Sequence, residues 1–115
     1  MGKTAHSLGA EAENQAAAYL ARRGLKPVAR NFRCQGGEID LVMADGPVLV
    51  FVEVRARKAG GFGGAAESIT ATKQARVILA ARHYLARHGL DVPCRFDAVL
   101  LDDGDLSWIR NAFEA

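Results

Sequence analysis

The stretch GEIDLVMADGPVLVFVEVRAR, residues 37–57, decides the fold of this chain. Residues 38–43 and 48–55 are runs of Ile, Leu, Val, Met and Phe that predict two β-strands, and Asp45-Gly46 between them is a strong hairpin signal. Because the runs lack polar alternation, we expect both faces to be covered and the strands to lie centrally in a sheet. Inside these apolar runs the sequence nevertheless places three carboxylates: Glu38, Asp40 and Glu53.

The geometry of an antiparallel hairpin would bring these carboxylates together. With a turn of two or four residues, residue 40 lies opposite residue 51, and Glu53 lies opposite Glu38. Residues two apart along a strand share a face. The predicted hairpin therefore projects four polar side chains from one side: Glu38, Asp40, Glu53 and Arg55.

Buried carboxylates this close repel each other, so at least one should bind a proton or a cation. Asp40 and Glu53 offer oxygen ligands that suit Mg²⁺ or Mn²⁺, and Arg55 adds a positive charge. Such a group could hold a metal ion, a water molecule and a scissile phosphate. The alternative is purely structural, with Glu53 paired to Arg55 or Arg57 at the end of the sheet and Asp40 capping a turn.

The rest of the chain predicts an α/β domain. Residues 7–23 and 70–88 have helical periodicity, and residues 25–33, 95–101 and 106–110 read as extended segments. The order is α-β-β-β-α-β-β, which predicts a mixed central sheet flanked by helices. The second helix is expected to bury one side, formed by Ala71, Ala75, Ile78, Leu79, Arg82 and Leu85. Residues 59–64, AGGFGG, predict a flexible loop without the sequence of a phosphate-binding loop.

Length, charge and cysteine content narrow the class of protein. The 115 residues suit one domain, spanning 1–115, and no apolar run approaches a membrane span or a signal sequence, so we expect a cytoplasmic protein. Residues 1–95 hold 14 Lys and Arg against 8 Asp and Glu, whereas residues 96–115 hold 1 against 5. The basic bias is a weak indication of nucleic-acid binding. Cys34 and Cys94 lack zinc or redox spacing and are expected to be free thiols.

The sequence resembles a known family, the YraN-type bacterial proteins. The similar blocks are GGEIDLVMADGPVLVFVEVRAR, FGGAAESITATKQ, EAENQAAAYLARRGL, ARNFR, CRFDAVLL and IRNAF. These proteins are uncharacterised and are regarded as distant relatives of Holliday junction resolvases in the PD-(D/E)xK nuclease superfamily. The resemblance implies a restriction-endonuclease-like fold and, because many resolvases act on two-fold junctions, a homodimer.

The resemblance also implies roles for particular residues. Asp40 corresponds to the first acid of the superfamily, Glu53 and Arg55 to its (D/E)xK pair, and Glu13, at the margin of the apolar stripe of the first helix, to the helix acid. Arg55 stands where lysine is usual, and an arginine stays protonated and can only orient and stabilise charge. Gln74 on the second helix is a further candidate, with an exposed position as the alternative.

The function expected from these features is metal-dependent hydrolysis of DNA phosphodiester bonds, with branched or damaged DNA as candidate substrates. Asp40, Glu53 and Glu13 would hold Mg²⁺ or Mn²⁺, and Arg55 would contact the phosphate. The flanking DNA backbone is expected to contact Arg22, Arg23, Arg30, Arg33, Arg57 and Lys58. Two alternatives are a nucleic-acid-binding module without catalysis and a protein–protein adaptor that docks through the acidic C-terminal stretch.

Overall fold

The computed structural model describes residues 5–57 and 69–115. Within these ranges the elements follow the predicted order α-β-β-β-α-β-β. They are α1 Ala5–Arg22, β1 Lys26–Cys34, β2 Gly37–Asp45, β3 Val48–Arg57, α2 Ala71–His88, β4 Cys94–Asp102 and β5 Asp105–Phe113. The predicted glycine-rich loop, residues 59–64, lies outside the described residues.

The five strands form one mixed sheet in the order β1-β2-β3-β4-β5. Strands β3 and β4 are parallel and are connected through α2, whereas the other neighbours are antiparallel. Strands β2 and β3 therefore lie in the interior of the sheet, which confirms the prediction from their unbroken apolar composition.

The two helices cover opposite faces of this sheet. Leu20 of α1 belongs to the same buried cluster as Val50 and Val52 of β3. Val77 of α2 packs in a second cluster with Phe51, which lies between those two valines in the strand. Successive residues of a strand point to opposite faces, so the helices sandwich the sheet as predicted.

The ends of α2 are those predicted, but its buried side is not. The side chain of Thr70 caps the N-terminus by accepting a hydrogen bond from the backbone N–H of Lys73 at 3.3 Å, and Gly89 closes the C-terminus with φ 61°. The predicted stripe is wrong, since Leu79 is 37% exposed. The residues that α2 buries are Val77, Ala80, Ala81 and Tyr84.

Small residues face the sheet because α2 lies unusually close to β2. A Cβ atom on Gly37 would lie only 2.4 Å from the backbone oxygen of Arg76 and 3.1 Å from the backbone nitrogen of Ala80. At this separation the small side chain of Ala80 fits against the strand. Ile78 and Leu85 of the predicted stripe are only partly buried against the same cluster, so hydrophobicity alone did not identify the buried side of the helix.

The β2–β3 hairpin forms with a register shifted by two residues from the prediction. Val42 pairs with Phe51 and Asp45 with Val48, so the turn is Gly46-Pro47 and the predicted register, with residue 40 opposite residue 51, is wrong. Asp45 remains in the strand because it binds the guanidinium groups of Arg95 at 2.8 Å and Arg110 at 3.1 Å. A shift of two residues preserves which side chains share a face.

No helix in residues 5–57 and 69–115 is long and apolar enough to span a membrane. Cys34 and Cys94 are free thiols, as predicted.

Candidate active site

The candidate site lies where the regular pairing of β2 and β3 ends. The paired residues run from Asp45–Val48 to Leu41–Val52. The next residue of β2 is Asp40, and the next residue of β3 is Glu53. The faces of β2 stop alternating at this position, because Leu41 packs with α1 although Ile39, two residues earlier, packs with α2. In the neighbouring strand β1, Asn31 has a left-handed backbone with φ 53°. The distortion opens the sheet at Asp40.

Asp40 and Glu53 are hydrogen-bonded to each other through their carboxyl groups. The backbone N–H of Val54 also donates to Oδ2 of Asp40 at 2.8 Å. Glu53 is only 7% exposed. The structure therefore brings the two acids of the predicted pair into direct contact. The structural alternative, in which Asp40 caps a turn, is not what the structure has, because the backbone N–H that its carboxylate accepts belongs to the neighbouring strand β3.

Electrostatics keep a proton on this pair at neutral pH. Burial, and then the negative charge of Asp40, raise the pKa of Glu53 from 4.5 to about 8. Burial also raises the pKa of Asp40, although the hydrogen bond from Val54 opposes the shift. Two buried carboxylates in contact cannot both ionise without a compensating cation. At neutral pH a proton on Glu53 relieves the repulsion.

A small polar pocket of about 80 Å³ opens beside Glu53. Nη1 of Arg55 lies 3.8 Å from Oε1 of Glu53, a long contact that leaves the pKa of the glutamate raised. Glu53 therefore pairs with Arg55, as the structural alternative expected, but the contact does not remove the raised pKa of Glu53. The lining combines acids and cations from both strands and from α2: Glu38, Glu53, Arg55, Lys73 and Arg76.

Lys73 is the residue of this pocket that sequence reasoning missed. Burial first, and then the charge of Arg55, lower the pKa of Lys73, while the nearby acids oppose the shift. Gln74, the candidate suggested by resemblance, instead donates to the backbone oxygen of Ile69 at 3.3 Å and lines a different pocket. The spacing of Lys73 from Val77 and Ala80 would have identified it once the buried side of α2 was known.

Glu13 approaches the site from α1 but does not complete it. The residue is half-buried, whereas Glu11 is exposed, as the helical stripe predicted. Its pKa is raised by burial and by Asp40, and its side chain bonds Asn31. Glu13 does not line the pocket beside Glu53. Across residues 5–57 and 69–115, no three His, Cys, Asp or Glu side chains are grouped closely enough to hold a metal ion.

None of the four predicted DNA-contacting arginines whose side chains are described, namely Arg22, Arg23, Arg30 and Arg33, lines this pocket, although Arg33 contacts Glu38, which does. Arg23 stacks over the ring of Tyr19 at 4.7 Å, Arg30 donates to Asn14, and Arg33 forms an ion pair with Glu38 at 3.4 Å. Arg22 is exposed at the end of α1. The side chain of Arg57 and all of Lys58 lie outside the described residues.

A second buried acid, Asp97 in β4, belongs to the structural framework. It is fully buried, and its carboxylate accepts hydrogen bonds from Nε of Arg95 at 3.0 Å, Nε1 of Trp108 at 3.0 Å and the backbone N–H of Asn111 at 2.9 Å. The same guanidinium reaches Asp45 through Nη1. These contacts join β4, β5 and the β2–β3 turn.

Comparison with known sequences identifies a family. Residues 12–101 match the model of the uncharacterised protein family UPF0102. A UPF0102 protein of Cupriavidus taiwanensis is 61% identical over 108 residues, which cover 93% of this chain and 82% of that protein. A UPF0102 protein of Janthinobacterium sp. (strain Marseille) is 54% identical over 98% of this chain and 93% of its own length. One from Nitrosomonas europaea is 53% identical over 96% and 97% of the respective chains.

Proposed function

Because this chain belongs to the uncharacterised protein family UPF0102, we propose from the site itself that it is a metal-dependent DNA endonuclease. The observation that carries the proposal is the buried Asp40–Glu53 pair beside a pocket lined with cations. A fold does not imply a function, and only the site supports one. The resemblance to Holliday junction resolvases agrees with this chemistry.

The donor set fits Mg²⁺ or Mn²⁺. Asp40 and Glu53 are the residues that would hold the ion, which would replace the proton that their burial now retains. Mg²⁺ is commonly bound by one or two carboxylates together with water and substrate phosphate oxygens, so two protein ligands suffice. Glu13 remains a proposed contributor from α1. A bound divalent ion would acidify a water molecule and offset developing negative charge.

The residues of the chain would position the phosphate for hydrolysis. In the proposed reaction the oxygen of a water molecule bonds to phosphorus, and the bond from phosphorus to one sugar oxygen breaks. That sugar oxygen takes up a proton, which leaves a phosphate monoester and a sugar hydroxyl. Arg55 beside Glu53 would bind a phosphate oxygen through a charge-assisted hydrogen bond. A guanidinium group is a donor without an acceptor site, so it cannot remove a proton from the water.

The exposed basic residues would hold the DNA on either side of the cleaved bond. Contacts to phosphates fix position without reading sequence. Arg22, Arg23, Arg30 and Arg33 are proposed for this role, together with Arg57 and Lys58. Binding through such residues should weaken steeply as salt rises, because bound phosphates release counterions.

Incubating the purified protein with single-stranded, duplex, flap and four-way DNA tests the proposal. Each substrate is combined with Mg²⁺, Mn²⁺ or EDTA, and products are resolved on a denaturing gel. The expected result is cleavage of at least one substrate with either metal and none with EDTA. An Asp91→Asn variant is the matched control, since Asp91 is exposed and removed in sequence from the site. Intact DNA in every lane would contradict the proposal.

A nucleic-acid-binding module without catalysis is the second candidate. Two features favour it: Arg55 stands where a lysine is usual, and in the described ranges the acids do not form a three-ligand group. The expected signature is salt-sensitive DNA or RNA binding that is the same with metal and with EDTA. Fluorescence anisotropy measured beside the cleavage assay separates the two functions.

A further inference from the structure

We propose that Lys73 is a catalytic residue whose ammonium group binds the scissile phosphate in the pocket beside Glu53. The inference rests on the proposed phosphodiester hydrolysis and assigns the phosphate-binding cation. Three observations support it. The buried side of α2 directs Lys73 toward the sheet, the electrostatics of the position disfavour a cation, and Arg55 and Arg76 line the same pocket.

Helix geometry directs Lys73 toward the sheet. Val77 and Ala80 are four and seven residues further along α2, and both are buried against β2 and β3. Residues at this spacing lie on one side of a helix. Lys73 therefore continues the buried stripe of α2 at the point where the sheet opens, and its side chain lines the pocket with Glu53.

The position is electrostatically unfavourable for a lysine. Lys73 is the third residue of α2, at the positive end of the helix dipole, and the first turn contains no acidic residue. A cation in the first turn destabilises a helix. Burial removes water from the ammonium group and Arg55 adds repulsion, and together these lower the pKa of Lys73 despite the attraction of Glu53, Asp40 and Glu38. Among the described residues, no salt bridge is recorded for this ammonium that would explain its place as structural.

A bound substrate phosphate would offset the unfavourable electrostatics at Lys73. It would place negative charge among Arg55, Lys73 and Arg76, all of which line the pocket. The ammonium of Lys73 is compact and carries three donors, so it can approach one phosphate oxygen while the planar guanidinium of Arg55 engages another. Arg76 is exposed and one turn further along α2, which suits a contact to a flanking phosphate.

Binding of thymidine 3′,5′-bisphosphate tests the contact without requiring cleavage. The probe is titrated into the parent protein and into Lys73→Met, Lys73→Arg and Arg82→Met, with Mg²⁺ and with EDTA. Loss of one charge-assisted hydrogen bond should weaken binding about 10- to 100-fold in Lys73→Met, and Lys73→Arg should restore part of it. Arg82→Met is the matched control, because Arg82 is exposed on the same helix and lines another pocket. Its binding should equal that of the parent.

Cleavage kinetics separate this inference from the proposed nuclease function. Lys73→Met should lose kcat at nearly unchanged KM for long DNA, whereas Arg76→Met should mainly raise KM. If the parent cleaves DNA and Lys73→Met cleaves it with the same kcat, the role of Lys73 is overturned and the proposed nuclease function is unaffected. A parent that binds the bisphosphate through Lys73 but cleaves nothing overturns the nuclease and supports the phosphate site. Bisphosphate binding that is absent, or unchanged in Lys73→Met, overturns the inference.

Discussion

Two regions of this molecule bury acidic side chains, and they do so in opposite ways. Asp97 has no exposed surface, yet side-chain and backbone N–H groups from three residues saturate its carboxylate. Asp40 and Glu53 receive one backbone hydrogen bond between them, contact each other, and have only the long ion pair from Arg55 to Glu53 at 3.8 Å. Donors saturate the first carboxylate, whereas the second site retains a proton because burial and the charge of Asp40 outweigh the nearby cations.

The difference shows that burial of an acid does not by itself indicate function. A saturated carboxylate such as Asp97 stabilises the fold, because breaking its contacts would leave buried partners unpaired. A pair that repels itself is costly to the fold, and such groups occur preferentially at functional sites. We therefore assign Asp97 to the framework and propose the Asp40–Glu53 pair as the group that carries the chemistry.

The largest effect is expected on cleavage. Asp40→Asn and Glu53→Gln should each lower the rate about 10³-fold or more, because the charge stabilisation from a bound metal amounts to several kcal/mol. Asp97→Asn should leave the rate per folded molecule unchanged. Single-turnover assays corrected for the folded fraction measure this. Equal losses in all three variants would remove the distinction between the two regions.

The free energy of unfolding should respond in the reverse order, with a larger loss on substitution of Asp97 than of Glu53. Asp97→Ala should lower the free energy of unfolding by about 3 kcal/mol or more, because Arg95 and Trp108 lose a buried acceptor. Glu53→Gln should leave stability at pH 7 unchanged or raise it, since glutamine can lie beside Asp40 without taking up the proton that Glu53 needs on folding. Urea unfolding without metal gives both values. A Glu53→Gln variant as unstable as Asp97→Ala would show that Glu53 is also structural.

Stability should fall as pH rises through the range in which Glu53 holds its extra proton. The unfolded chain releases this proton near pH 4.5 and the folded protein near pH 8. Between these values the folded state binds more protons, so unfolding becomes easier by up to about 1.4 kcal/mol per pH unit for this one group. Urea unfolding from pH 4.5 to 8.5 should show the fall in the parent and a flatter profile in Glu53→Gln. Parallel profiles would contradict the raised pKa.

The smallest change in cleavage is expected from substitutions on α1. Glu13→Gln should weaken cleavage by less than the loss of Asp40, since the side chain of Glu13 bonds Asn31, whereas Asp40 bonds Glu53 directly. Glu11→Gln is the matched control, because Glu11 is exposed on the same helix and should change little. Both variants should melt within a few degrees of the parent. Parental cleavage by both would show that Glu13 takes no part in the site.

Local sequence signals were sufficient for the order of elements. Apolar runs and turn residues mark strands independently of the rest of the chain. Asp40 and Glu53 do meet, as expected, but not through the predicted parity, because the register is shifted by two residues and the faces of β2 stop alternating at Asp40.

Features that depend on distant contacts were not predictable. The turn position depends on Arg95 and Arg110, which hold Asp45 in its strand from positions far along the chain. The buried side of α2 depends on its close approach to Gly37. Lys73 was missed for the same reason, because its direction follows from that packing. The saturation of Asp97 likewise requires the register of β5 and could not be read from an aspartate in an apolar strand.

Calorimetric titration of the parent protein with Mn²⁺ at pH 7, in buffers of different ionisation heat, tests the metal site most directly. The site predicts one Mn²⁺ per chain and release of close to one proton on binding, because the pKa of Glu53 lies at about 8 before the metal enters. Asp40→Asn and Glu53→Gln should abolish both, while Asp91→Asn binds like the parent. No Mn²⁺ binding, or binding that persists in both site variants, would contradict a metal centre at Asp40 and Glu53.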